Sequence, residues 1–202
     1  MAKEPSKTGK DALNLNADEM MELTLMSNEL LGDQATVNSY QVRNSRALAK
    51  AKSLVCYRNG VTRLPVSVKR LQADALRRDD HSLALSGNMQ IARGETQLPG
   101  TDAHHIVSRT HRLAKYSRKY LFDWRIGIDD ADNGVFLPEQ SGTQIPGLEK
   151  ANAHSPIHTR LYHLEVAARL SGRRTEPAGA ARAELQDMRA DMIAGTFPYK
   201  KA

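Results

Sequence analysis

TDAHHIV, residues 101–107, sets two imidazoles side by side, His104 and His105, between a small residue and a β-branched pair. Neighbouring residues on an extended strand point to opposite faces, so the two rings cannot be equivalent ligands of one ion without distortion. They must have different tasks, and other segments must complete each. Read outward, TDAHHIV is a short strand. SRTHRLAKYSRKYLFDW (108–124) has a helical pattern, NGVFLP (133–138) is a second short strand after a tight turn, and SPIHTRLYHLEVAARLSG (155–172) is a helix. The order is strand, inserted helix, strand, helix, and six of the seven histidines lie beyond residue 96.

In the last of these segments Ser155 is placed to cap, Pro156 takes the first helical position and His158 falls in the first turn. His154 lies just outside, four residues before His158, a separation at which both rings can face one ion. A lone HxxxH pair is common on solvated helices. Here it accompanies the His104/His105 pair and Asn133 ahead of the second strand.

The rest of the chain sets the frame. Its 202 residues are 40% apolar, enough for a core, and include one cysteine, Cys56, which excludes an intrachain disulfide and a cysteine-rich zinc site. Any metal must be held by His, Asn, Asp or Glu. No apolar run approaches the ~20 residues needed to cross a bilayer, and the polar start MAKEPSKTGKDALNLN lacks a secretory h-region. The chain is expected to be made in the cytoplasm without a signal peptide and to have no membrane span.

The expected fold class is α+β, mainly α. Residues 1–12 read as a flexible tail and 13–95 as a helical region. Within the latter, NADEMMELTLMSNELLGD (16–33) is a capped helix. A second helix runs from near Gln34 to Tyr57, closed by RNG, and a third spans PVSVKRLQADALRRD (65–79) with Pro65 in its first turn. SGNMQIARGETQLPGT (86–101) shifts to Gly, Pro and Thr and reads as a linker, so a second unit is expected over 96–175. Residues 176–202 form a last helix with Pro177 at its start, Leu185, Met188 and Met192 on one side and Gly195 at its end, packing on the core.

The formal charge of +6 is concentrated after the histidine pair. Arg109, Arg112, Lys115, Arg118, Lys119 and Arg125 stand against Asp123 alone, while Leu113, Tyr116, Tyr120 and Trp124 recur at helical spacing. One face is expected to pack and the other to meet phosphates. Such contacts carry no base code, so cleavage or binding without sequence preference is expected.

Taken together, AHHIV (103–107), GIDDADNGVFLP (127–138) and HSPIHTRLYHLEV (154–166) resemble the HNH nucleases of the ββα-metal fold, most closely the AHH subgroup found as toxin domains in bacterial polymorphic and contact-dependent toxins. The resemblance covers about Gln97 to Leu170. It implies a ββα-metal core with an inserted helix, in which His104 turns to a divalent metal and His105 is the general base. His154 and His158 complete the metal site, with the essential one of the two left open. Asn133 either pins the loop of the second strand or binds the metal. Magnesium or manganese is the implied catalytic ion, and zinc or nickel can occupy such a site. The implied activity is metal-dependent DNA hydrolysis leaving 5′-phosphate and 3′-hydroxyl ends, with Arg109, Arg112, Lys115, Arg118 and Lys119 on the nucleic acid.

A toxin of this kind implies a cognate immunity protein and contact-dependent secretion. The route is either type VI delivery, with a secretion-apparatus partner for the N-terminal region, or release from a larger toxin, and the toxin would act in the target-cell cytoplasm. Two other readings stay open: a non-cleaving DNA- or partner-binding module with a structural metal, and an RNase. Zinc-peptidase chemistry is excluded by the missing HExxH glutamate. Asp129, Asp130 and Asp132 read as cap and turn residues, His111 and His163 as surface or phosphate contacts, and Tyr162 as packing.

Overall fold

The computed structural model describes residues 55–200, so the expected tail, the helix over 16–33 and most of the second helix lie outside the described residues. Where that second helix was expected to end, the chain forms a hairpin, β1 (Tyr57–Arg58) against β2 (Val61–Thr62). Asn59 and Gly60 take φ of 52° and 76°, the two-residue turn that Asn-Gly favours and that a helix cannot accommodate. A Cβ on Gly60 would lie 2.1 Å from the Asn88 carbonyl oxygen, so the turn rests directly on backbone.

Helix α1 (Val68–Ala75) begins later than expected. Ser67 caps it through Oγ and the Arg70 amide, leaving Pro65 ahead of the helix. Helix α2 (His81–Arg93) is capped by Asp80 and ended by Gly94 at φ 67°. It absorbs the first half of the expected linker: Leu85 and Met89, one turn apart, pack on Ala103, Ala131 and Phe136. Residue 96 is therefore no boundary, and Val55–Ala202 is one compact unit.

β3 (Thr101–His105) pairs antiparallel with β4 (Gly134–Pro138), placing His104 opposite Val135 and His105 opposite Gly134. The connection carries a 3₁₀ turn (Arg112–Ala114), α3 (Lys115–Asp123) and a second 3₁₀ turn (Ala131–Asn133). The packing face of α3 matches the expected one in part: Tyr120 and Trp124 pack against the core, while Tyr116 is 65% exposed and Ala114, Ser117, Leu121 and Phe122 are the buried residues.

The expected single helix after residue 154 is two. α4 (His154–Ile157) is one turn, and α5 (Arg160–Gly172) starts anew from Thr159, whose Oγ1 accepts the Tyr162 amide. Ser155 caps neither; its amide donates to the Glu139 carbonyl. α6 (Ala178–Ala194) matches its expected course, from Pro177 to a left-handed Gly195. Its Ala181, Leu185, Met188 and Met192 join Leu121, Ile128, Leu137, Ile157, Tyr162 and Val166 in the main core. The described residues are thus mixed α+β, with six helices and two small sheets. No helix among them is long and apolar enough to cross a membrane.

Candidate metal centre and active site

β3, α4 and the start of α5 bring three imidazoles together. His104 is 1% exposed, and its Nε2 lies 2.8 Å from Tyr162 Oη. That hydroxyl donates its only hydrogen to the Ile106 carbonyl at 2.7 Å, so it must accept from His104. His104 therefore carries its proton on Nε2 and a lone pair on Nδ1. Nδ1 is buried without a hydrogen-bond partner among the described residues. Burial holds the ring well below the usual imidazole range, and the neighbouring His158, His154, His105 and His163 push the same way. Burial also raises the Tyr162 hydroxyl, keeping its proton in place.

His154 Nδ1 donates to Asp102 Oδ2 at 2.7 Å, which leaves Nε2 as its lone-pair nitrogen, 3.3 Å from His158 Nε2. One nitrogen from each of His104, His154 and His158 falls within 4.8 Å of the others. The donor set fits a divalent cation. Three neutral imidazoles with a fourth side open is a common catalytic arrangement, and two bonds of about 2.0 Å at the tetrahedral angle span about 3.3 Å. A cation there would give the orphaned Nδ1 of His104 a partner, and Asp102 supplies the carboxylate that often orients a metal-binding histidine.

His105, on the opposite side of β3, places Nε2 2.9 Å from Asp129 Oδ1. The other oxygen of Asp129 lies 2.7 Å from His81 Nδ1. Burial works to raise the Asp129 carboxyl; the hydrogen bonds and charges of His105 and His81 outweigh it and hold the group ionised below its usual range. One open cavity of ≈ 360 Å³ is lined by all four expected histidines, His104, His105, His154 and His158, together with His81, Ser108 and Arg109.

Asn133 is fully buried outside this cavity's lining. Its Oδ1 accepts the Val107 amide and its Nδ2 donates to the Ile128 carbonyl, both at 2.8 Å, while its own carbonyl accepts from Ile106. This is the geometry of a residue pinning the loop between α3 and β4 to the end of β3.

The expected basic face is only partly available. Arg109 donates through one guanidinium nitrogen to the Ala75 and Arg77 carbonyls at the end of α1, and Arg118 likewise to those of Ser108 and His111. Each is thereby tied to half-buried backbone, with its other donors left over. Lys119 pairs with Asp123 in the open, and Arg112 and Lys115 are exposed beside Tyr116. His163 is not on the surface: it is 2% exposed and stacks on His111 at 3.9 Å. Burial, then His111, His158 and Arg118, hold it down to about 4.

Four contributing residues were not assigned these roles from sequence: Asp102, Tyr162, Asp129 and His81. Asp102 had a readable signal, since it shares a strand face with His104 two residues on. Tyr162 had one too, a helical turn past His158. Asp129 and His81 come from a loop and a distant helix, with no spacing to link them to His105.

A family described as AHH, a nuclease family of the HNH/ENDO VII superfamily with conserved AHH, matches residues 85–192, just over half of the chain. No curated protein and no solved structure matches it.

Proposed function

The chain belongs to the AHH family of nucleases, and from that membership we propose that it is a metal-dependent DNA endonuclease without sequence preference, built on a ββα-metal core of β3, β4 and the α4–α5 segment. The observation that carries the reading is the division of labour at the histidine pair. One nitrogen of His104 lies within 4.8 Å of one from each of His154 and His158, while His105 lines the same cavity from the other face of β3. His104, His154 and His158 would hold the cation. When bound, a divalent cation supplies stabilisation of charge on the phosphate oxygens and on the leaving 3′ oxygen. His105 takes the proton of the attacking water on its Nδ1, the nitrogen not facing Asp129. Asn133 keeps the loop that carries Asp129 fixed to β3. Arg112, in the 3₁₀ turn, and Lys115 and Lys119, along α3, are exposed and are the phosphate contacts; Arg109 and Arg118 hold the site's backbone instead.

The same reading makes the chain a toxin delivered by a contact-dependent system and neutralised in its producer by an immunity protein with an acidic contact surface. The products are 5′-phosphate and 3′-hydroxyl ends. Incubating supercoiled plasmid and a structured RNA in parallel, with magnesium, manganese or chelator, tests the activity. Nicking and linearisation of DNA that requires metal and vanishes in His105→Ala is expected. Intact plasmid in every lane, with folded, metal-loaded protein, overturns the reading, and cleavage of RNA alone converts it to a ribonuclease.

A further inference from the structure

Asp129 is held from every side. Its main-chain amide donates to Tyr57 Oη at 3.1 Å, its carbonyl accepts from Asn88 Nδ2 at 2.7 Å, and its two carboxylate oxygens face His105 Nε2 and His81 Nδ1. An ionised carboxylate only accepts, so both ring nitrogens aimed at it carry hydrogen. That fixes the tautomer of His105: with the proton on Nε2, the lone pair of the neutral ring sits on Nδ1. His81 is placed differently. Its Nε2 lies 3.3 Å from the Arg77 carbonyl, turned to the end of α1 although the ring lines the cavity. What His81 does hold is the second oxygen of Asp129, from the first turn of α2.

We propose that Asp129 and His81 are a positioning pair that locks His105 in the Nε2–H tautomer with Nδ1 turned to the substrate, His81 acting through Asp129 by stopping its carboxylate from rotating. The proposal rests on the nuclease reading for the role of His105, but not for its tautomer, which can be observed separately.

The experiment uses the full-length chain, labelled with ¹⁵N at histidine, and long-range ¹H–¹⁵N spectra with and without magnesium, beside plasmid-cleavage kinetics. Wild-type His105 is expected as Nε2–H. In Asp129→Asn the amide offers one oxygen and one NH₂; His81 keeps the oxygen and the NH₂ faces His105, which flips to Nδ1–H. With it, kcat falls by about 10²- to 10⁴-fold, while KM and zinc affinity stay within about threefold of wild type. His81→Ala loosens the tautomer and lowers kcat less, and His81→Gln, which can still donate to Asp129, restores part of both. Nδ1–H in wild-type His105, an unchanged tautomer in Asp129→Asn, or a loss that lies wholly in metal affinity overturns the pair. If Asp129→Asn does not fold, the His81 variants decide on the same two readouts. A wild-type protein that cuts no nucleic acid defeats the nuclease reading alone, and the spectra still decide the positioning pair.

Discussion

Replacing Tyr162 by Phe removes one oxygen from the centre of the fold, and two buried groups lose their partner at once. The His104 Nε2–H loses its acceptor at 2.8 Å and the Ile106 carbonyl its donor at 2.7 Å. Tyr162, His104 and Ile106 are all essentially inaccessible, so water does not compensate. An unsatisfied buried donor or acceptor costs about 1–3 kcal/mol; two of them, less the relief of no longer burying a hydroxyl, destabilise by about 2–4 kcal/mol. Packing is conserved, since the ring stays against Phe197 at 5.3 Å between centroids. The metal site senses the change separately. Tyr162 Oη is the acceptor that keeps the proton on Nε2 and leaves Nδ1 free, so without it the His104 ring is no longer held ready for coordination. Loss of such a support corresponds to zinc binding weaker by about 10- to 100-fold. Urea unfolding measures the first effect, and zinc titration against a competing chelator the second. A zinc Kd within threefold of wild type together with a stability loss under about 0.5 kcal/mol would refute the tautomer argument for His104.

His105→Ala should lower the cleavage rate by about 10²- to 10⁴-fold with zinc affinity intact, which a rate measurement and the same titration check together. Asp102→Ala removes the acceptor of His154 Nδ1 at the open edge of β3, so metal affinity should fall by about 10- to 100-fold with little change in unfolding midpoint. Glu184→Gln tests the α5–α6 contact, where the carboxylate takes Arg169 Nε and Arg173 Nε. Burial pulls the Glu184 carboxyl upward, the two arginines pull it down harder, and it ionises below its usual range. Its stabilisation is therefore complete above the unfolded pKa of about 4.3 and disappears as pH falls through the lower folded value. Wild type should exceed the variant by about 1.5–3 kcal/mol at pH 7, and urea midpoints of the two should converge in acid; a gap that widens in acid contradicts the assignment. Gly195→Ala should destabilise by more than about 2 kcal/mol in thermal unfolding, because the new Cβ would lie 2.0 Å from the Lys150 carbonyl oxygen in a left-handed backbone.

The metal side of the site was legible because its residues sit inside local patterns: a strand whose alternation separates His104 from His105, and an HxxxH at a chain turn. The helix carrying that pair was legible only in outline. Thr159 caps where Ser155 does not: its hydroxyl accepts the Tyr162 amide, whereas α4 already begins at His154 and holds Ser155 inside its single turn. The basic stretch misled in a physical way. Charge counts show where arginines lie and not what they donate to, and Arg109 and Arg118 face backbone carbonyls that no pattern announces. The expected linker failed for a related reason: the Gly87 and Gly94 punctuation hid the Leu85/Met89 pair, whose burial is decided by strands that follow in sequence.

The two halves of the site thus depend on different parts of the chain. The proposed cation ligands and their supports, Asp102 and Tyr162, all lie between residues 102 and 162, inside the span that the family matches. The proposed base, His105, lies in that span with Asp129, but Tyr57 and His81, which brace Asp129, lie before residue 85. Asn88 joins them from α2, and Arg109 locks the end of α1 from the far side of the cavity. The hairpin and two helices ahead of β3 therefore act on the chemistry through one carboxylate. On the proposed mechanism, a change there that leaves His104, His154 and His158 undisturbed still reaches catalysis, because it frees Asp129 to rotate and, with it, the proton on the ring of His105.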